Sequence, residues 1–313
     1  MTLRLSVDRT AWLSHVADVA ESLPGLVPVV KGNGYGFGRA PLHIIAATLS
    51  PYVCVGSVYE LDHLVPGVRP IVLTPATVVP NTVDEHVVLT VGSVADVHAL
   101  GDWGGQVMVK LCSSMRRYGA SPDELGDVFD AVAASGRSVF AVGIHLPLAG
   151  DDDQRRAEID AWLVRLPAEV PLWVSHLGTL AWADLRRDYP ARSLLQRVGS
   201  RLWHGSKSFL RLRADVSVVR PVRAGEIAGY RATPVPSDGH VALIGAGSAA
   251  GIADNDGLSP FHFAKTRLPL LEPAHMHTSI VHIPAGQPCP QPGDWVDVQR
   301  PLISIHADQI TWT

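Results

Sequence analysis

Charge is scarce in this sequence: Asp, Glu, Lys and Arg make up 18% of its 313 residues, below the roughly one-quarter usual in soluble proteins. With 47% of the residues hydrophobic, the composition excludes a disordered chain. No basic run occurs, and a net charge of -4 with a pI near 6.4 argues against nucleic acid or anionic membrane as a main partner. Cysteine is scarcer still. Cys54, Cys112 and Cys289 are odd in number and widely spaced, which leaves neither a disulfide framework nor a cysteine metal knot. The opening MTLRLSVDRTAWL lacks the basic start and apolar stretch of a signal peptide. No apolar run approaches the ~18 residues of a membrane span. A soluble, cytoplasmic protein without a membrane segment is expected, and its length allows two domains.

What is present is order of two kinds. Up to about residue 208, short apolar runs alternate with longer helical patterns. The runs are 26–31, 52–55, 70–74, 86–91, 106–111, 138–146, 171–175 and 194–198. They are rich in Val, Ile and Leu without polar alternation, as parallel strands covered on both faces should be. Helix starts are signalled by Pro41, by Ser121-Pro122-Asp123-Glu124 and by Asp151-Asp152-Asp153. Eight strand–helix units in this length match a (β/α)8 barrel, with an open doubly wound sheet as the alternative. From residue 209 to 313 proline and glycine become frequent and β-like runs appear at 214–223, 240–244, 278–283 and 294–305. That second region reads as a smaller, mainly antiparallel β-domain.

A barrel of this type carries its chemistry at the carboxyl ends of its strands. Polar residues stand there on otherwise apolar strands: Lys31, Lys110, His145, Ser175, His176 and Arg197, the last followed by Gly199 and Ser200. Lys31 is the sharpest of them. In VVKGNGYGFG it directly precedes alternating glycines. A lysine desolvated at a barrel mouth loses its proton more readily and can form a Schiff base with a carbonyl. The glycines permit tight turning close to a ligand.

The VVKGNGYGFG segment resembles the pyridoxal-phosphate lysine motif of the alanine racemase family, with Lys31, Asn33, Tyr35, Gly36 and Gly38 in place. KLCSSMRRYG at 110–119 is similar to a second family segment through Lys110, Met115, Arg117 and Gly119, and QRVGSRLWHG at 196–205 to a third through Arg197 and Gly199. VRAGEIAGY at 222–230 and AHMHTSIV at 274–281 extend the likeness into the β-domain. The resemblance implies a fold-type III pyridoxal 5'-phosphate enzyme acting on a small amino acid as a homodimer. It implies Lys31 as Schiff-base lysine and one-face base, and Arg117 at the cofactor's phenolic oxygen, oriented by a Lys110 that family members often carbamylate. Arg197 would face the pyridine nitrogen, Gly199 and Ser200 would hold the phosphate, and Met276 would reach the substrate carboxylate across a dimer. Tyr35, Ser175, His176 and Thr179 are further cofactor contacts by this reading, and His145 and His277 orienting or substrate residues.

The sequence also departs from the family. Where the family carries a partner-supplied tyrosine as second base, IGAGSAAG at 244–251 has Ala246. Cys112 replaces an aspartate, and His277 stands where an aspartate is usual. The family's sixth-strand histidine aligns with Pro147, two residues after His145. SHLGT at 175–179 is closer to the phosphate loop of fold-type III decarboxylases. Ser248, His262, His277 and Tyr230 are conceivable substitutes for the second base. The chain stops at Thr313, where family members continue with another active-site tyrosine, so a shortened β-domain is expected.

Other signals carry less. GAGSAA at 245–250 leads into turn-rich sequence rather than a helix, against a dinucleotide loop. His275-x-His277 has no carboxylate or cysteine cluster beside it, so no metal is expected. Trp173 and Trp203 read as packing residues. The expected function is therefore an alanine racemase-like isomerase producing a D-amino acid. The alternatives are another one-base pyridoxal-phosphate enzyme, a lyase or decarboxylase, and a cofactor-binding homologue with a regulatory or scaffolding role.

Overall fold

A computed structural model describes residues 2–254 and 257–313. The chain divides into two compact units. One is His15–Gly205; the other joins residues 2–14 to Ser206–Thr313. The division falls inside helix α1 (Arg9–Ser22), which follows strand β1 (Leu3–Val7).

The His15–Gly205 unit is a barrel of eight parallel strands: β2 (Leu26–Pro28), β3 (Tyr52–Val55), β4 (Arg69–Val72), β5 (Val88–Val91), β6 (Val107–Lys110), β7 (Val139–Gly143), β8 (Leu172–Ser175) and β9 (Leu194–Val198). Their order is β2-β9-β8-β7-β6-β5-β4-β3. A bridge between Val29 and Cys54 closes the ring, with Val30 N donating to Cys54 O at 2.8 Å. Most barrel-strand residues are buried, which is why the runs read as continuous apolar text. Ile71, Val88, Met108 and Trp173 fill the interior. Tyr52, Phe140 and Trp173 form an aromatic trio with ring centroids 5.4–5.8 Å apart.

Helices follow six of the eight strands: α2 (Arg39–Leu49), α3 (Val94–Ala99), α4 (Leu125–Ala134), α5 (Asp152–Leu163), α6 (Thr179–Asp188) and α7 (Ser200–His204). The eight expected strand–helix units are thus eight strands with six α-helices. After β3 and β4 the segments holding Pro66-Gly67 and Pro75 with Pro80 make turns instead, because proline removes helical donors and no capped amphipathic run is present. Asp151 caps α5 in a full capping box with Gln154. The expected start of α4 at Ser121 lies four residues early; there Glu124 accepts from Ser121 N at 3.0 Å and the helix begins at Leu125.

The other unit is an eight-stranded sheet. Its spine is β10 (Leu210–Val222), antiparallel to β1 and later in the chain to β13 (Gly239–Ile244) across a bulge at Val216/Val218. Two short strands, β11 (Ile227–Ala228) and β12 (Thr233–Pro234), pair apart from it. The hairpin β14 (Phe261–Phe263) and β15 (Thr266–Arg267), then β16 (Ser279–Pro284), β17 (Trp295–Val298) and β18 (Gln309–Trp312) complete it. Residues 2–14, assigned above to the barrel, sit here because β1 pairs with β10 and β18. Its alternating burial is the mark of a strand covered on one face. Glu272 staples the β11–β12 turn: its carboxylate accepts from Tyr230 N at 2.9 Å, Arg231 N at 3.0 Å, Thr233 Oγ1 at 3.2 Å and His275 Nε2.

Candidate active site

Beyond Val29 the chain turns at once, and the backbone from Gly32 to Gly38 enters the left-handed region repeatedly. Tyr35 does so at φ 55°, between Gly34 at 62° and Gly36 at 89°, a conformation that costs a bulky side chain roughly 1–3 kcal/mol. A Cβ at Gly34 would stand 2.6 Å from Arg39 N, so only glycine fits. The loop is pinned from both sides. Glu60 Oε2 accepts from Gly32 N and Gly56 N, each at 3.0 Å, while Arg39 donates to Gly32 O and pairs with Asp62. Lys31 stands on this fixed loop with its side chain open to solvent. The protein around it, then Arg117 and Arg197, lower its pKa against the smaller pull of Glu60 and Cys54.

Lys110 ends β6 and is buried. Gly119 lets the following loop fold back, since a Cβ there would be 2.6 Å from the carbonyl carbon of Leu111. Ala120 N then donates to Lys110 O at 2.8 Å. The returning loop sets Arg117 and Tyr118 around a small open cleft shared with Lys110, Ser113 and His145. Burial, then Arg197 and Arg117, hold Lys110 well below the ordinary lysine pKa.

His145 Nδ1 and Ser175 Oγ are 2.8 Å apart, and Ser175 Oγ also accepts from Leu146 N. Burial first, then Arg197 and Lys110, push His145 down to about 2, so its ring is neutral at physiological pH. His176, at φ 66°, donates through Nδ1 to Leu146 O at 2.6 Å and packs at a tilt against His145 with ring centroids 4.5 Å apart. Ser175 Oγ and His176 Nδ1 are thus both bonded to the end of the neighbouring strand. Arg197 is buried, bonds Ile144 O through Nη2, and keeps an Nε–H with no partner among the described residues. A buried guanidinium N–H left unpaired is expensive and marks a place for an acceptor.

The ends of β8 and β9 meet the Lys31 loop. Trp203 Nε1 donates to Val29 O at 2.8 Å and His204 Nε2 bonds Tyr35 O at 2.6 Å, so α7 is tied to that loop. The Tyr35 hydroxyl lies where a Cβ on Gly199 would be, 2.1 Å from it. Burial raises the pKa of this phenol and keeps it protonated. Thr179 opens α6, its hydroxyl accepting from Arg201 Nη2. The Gly178 amide is taken by the Asp152 carboxylate.

All of these residues belong to one unit. Met276 and His277 lie in the other, both exposed beside the bond from His275 N to Thr278 O. Sequence reasoning missed Glu60, Tyr118 and Arg201. Glu60 lies 28 residues from Gly32, and nothing in its local pattern announces the contact.

A family model, alanine racemase N-terminal domain, matches residues 7–179, more than half of the chain. The chain belongs to the alanine racemase family. The alanine racemase of Corynebacterium glutamicum strain R is 28% identical over 278 residues, covering 80% of this chain and 76% of that protein. Among solved structures, alanine racemase from Bartonella henselae with covalently bound pyridoxal phosphate superposes with TM-score 0.76 at 18% identity, covering both chains fully. That from E. faecalis gives 0.71 at 21% identity, over 95% of this chain and 88% of that one. These two likenesses establish the fold: eight parallel strands in a barrel and a separate, largely antiparallel sheet. Among the described residues no helix is long and apolar enough to cross a membrane.

Proposed function

We propose that this chain is a pyridoxal 5'-phosphate-dependent amino-acid racemase of the alanine racemase type, acting in the cytoplasm on a small amino acid as a homodimer. The observation that carries the reading is the unpaired Nε–H of buried Arg197. It lies among Lys31, Lys110 and Arg117, three further basic groups, with Glu60 the carboxylate that bears on Lys31. That donor set fits an anionic, phosphate-bearing pyridine.

Arg197 and Arg117 would hold the ring, and Tyr35, Thr179, Gly199 and Ser200 the phosphate. When bound, the group supplies a carbonyl for an amine and a sink for the electrons left when an α-proton departs. Lys31 supplies the amine, made more nucleophilic by its lowered pKa, and moves the proton at Nζ on one face. The neutral amine of Lys110 is the form that takes up carbon dioxide, and a carbamate there would set an anion between Arg117 and Arg197. Neutral His145 offers a hydrogen bond without adding charge to the cleft. Met276 and His277, exposed on the β-unit, are the proposed contacts to the substrate of a second copy.

One observation favours a one-base reaction instead. Ala246 is buried and carries nothing that moves a proton. The experiment separates the readings. Purified protein should take up pyridoxal phosphate with a visible absorption band, and borohydride should fix the label on the Lys31 peptide. Lys31→Ala should abolish both. Protein that stays colourless refutes cofactor chemistry and leaves a regulatory or scaffolding role. If it is coloured, L-alanine in deuterated water decides: inversion with label supports racemisation, and exchange with retention shows that the Lys31 face works alone.

A further inference from the structure

The carboxyl ends of β8 and β9 hold a cation that neither the sequence motifs nor the cofactor contacts named above account for. Arg201, the second residue of α7, extends Nη2 to Thr179 Oγ1 at 2.5 Å, spanning from the end of β9 to the first residue of α6. Its backbone is fixed: the carbonyl accepts from His15 Nε2 at 3.0 Å, and Gly205 packs so closely on His15 that a Cβ would lie 2.2 Å from the ring. The arginines at 39, 155, 156 and 187 each pair with an aspartate, but no carboxylate among the described residues pairs with Arg201. Its charge is uncompensated and its remaining N–H groups are available.

Two neutral donors flank it. Thr179 uses its oxygen as acceptor for Arg201, which leaves its own proton to give elsewhere. Tyr35 is 6% exposed, and among the described residues no group bonds its hydroxyl, which faces the Cα of Gly199 two residues before Arg201. A buried phenol with a free O–H, a threonine O–H and an unpaired guanidinium thus gather around the turn Gly199–Ser200–Arg201. Asp152, which accepts from the Gly178 amide beside Thr179, is itself paired with Arg155. Donors of this kind suit a phosphate monoester dianion, which accepts from several donors at once and matches the planar guanidinium fork.

We infer that Arg201 is a phosphate-binding residue, closing with Tyr35 and Thr179 on the 5'-phosphate of the cofactor and making the protein selective for pyridoxal phosphate over pyridoxal. The inference rests on the cofactor reading above. A structural role, with Arg201 merely tying α7 to α6, would treat the two ligands alike.

The test uses the full chain and measures dissociation constants for pyridoxal phosphate and for unphosphorylated pyridoxal by difference absorbance, in wild type, Arg201→Ala, Arg201→Gln and Arg201→Lys. Removing the guanidinium should weaken pyridoxal phosphate by about 10- to 100-fold and change pyridoxal less than about twofold, with Arg201→Lys between. Inorganic phosphate should compete for the wild-type site and compete less well in Arg201→Ala. Equal losses for both ligands, or unchanged pyridoxal phosphate binding in Ala and Gln variants that keep the wild-type circular dichroism, overturn the assignment. If Arg201→Ala does not fold, Arg201→Lys and Arg201→Gln carry the same comparison. Wild-type protein that binds neither ligand overturns the cofactor reading, and this inference with it; wild type that binds while the variants match it overturns Arg201 alone.

Discussion

Gly199 and Tyr35 offer a direct measure of how tightly the barrel mouth is built. A Cβ placed on Gly199 meets the Tyr35 hydroxyl at 2.1 Å and its Cζ at 2.8 Å. Non-bonded carbon contacts are comfortable at 3.5–4.0 Å, so Gly199→Ala forces the ring or the strand end to move by about 1 Å. The ring has little freedom, because Tyr35 is buried and its carbonyl is bonded to His204. At φ -116° and ψ -94° the backbone of Gly199 also lies outside the main regions open to a residue with a Cβ, so backbone strain adds to the clash. Overpacking of this kind costs about 1–3 kcal/mol. In urea, where m is roughly 1–3 kcal/mol per molar, the unfolding midpoint should fall by about 1 M at unchanged m. The companion variant Tyr35→Phe deletes the nearest atom and leaves the 2.8 Å contact. The double variant should therefore recover about half of the loss, a coupling expected only of residues in contact. A Gly199→Ala protein as stable as wild type, or a double variant that simply adds the two single effects, would refute this placement of Tyr35.

Two further outcomes follow from groups with well-defined partners. Glu272→Ala should destabilise the β-unit by about 2–4 kcal/mol, because four donors lose one buried acceptor. Hydrogen exchange at the Tyr230 and Arg231 amides should accelerate, and unchanged protection there would exclude the staple. His145 should not titrate between pH 5 and 8, since its pKa lies at about 2 in the folded chain. The unfolded chain takes the proton first, near pH 6.5, so stability falls as pH drops from there. The slope should be shallower in His145→Gln by up to about 1.4 kcal/mol per pH unit; equal slopes would show that the imidazole is not held neutral.

The barrel was legible because burial on both faces leaves runs such as YVCV at 52–55 with no polar letter to obscure them. The same rule hid β1. LRLSV alternates, which marks a one-sided sheet, and its partners β10 and β18 lie some 200 and 300 residues away. The Lys31 loop was legible for a local reason: alternating glycines are what a repeatedly left-handed backbone requires, and that is how it folds. Site residues defined by pairing were opaque. Ser175 Oγ lies 2.8 Å from His145 Nδ1 and His176 Nδ1 donates to Leu146 O, pairings that no local pattern announces. Arg201 was opaque for the opposite reason, since an arginine in a five-residue helix looks like any surface charge until its distance to Thr179 is known.

The alanine at 246 is more than a missing hydroxyphenyl group. Its carbonyl accepts from Ser279 Oγ at 2.8 Å, and Ser248 N and Ala249 N bond the carbonyls of His275 and Met276 at 2.7 and 2.9 Å. Gly247 is pressed so close that a Cβ would lie 2.3 Å from His275 O. The strand end packs on the 275–279 segment, and Ala246 is a buried part of that packing. On the barrel side, Lys31 keeps what a proton carrier needs: a fixed loop, solvent access and a lowered pKa. In the racemase reaction proposed above, the two faces of a bound substrate would be unequally served. General acid–base help at one face is typically worth 10²–10⁴-fold, so α-proton exchange through Lys31 should outpace inversion by a comparable factor. Equal rates of exchange and inversion from L-alanine in deuterated water would mean that a second side chain serves the far face as well as Lys31 serves the near one.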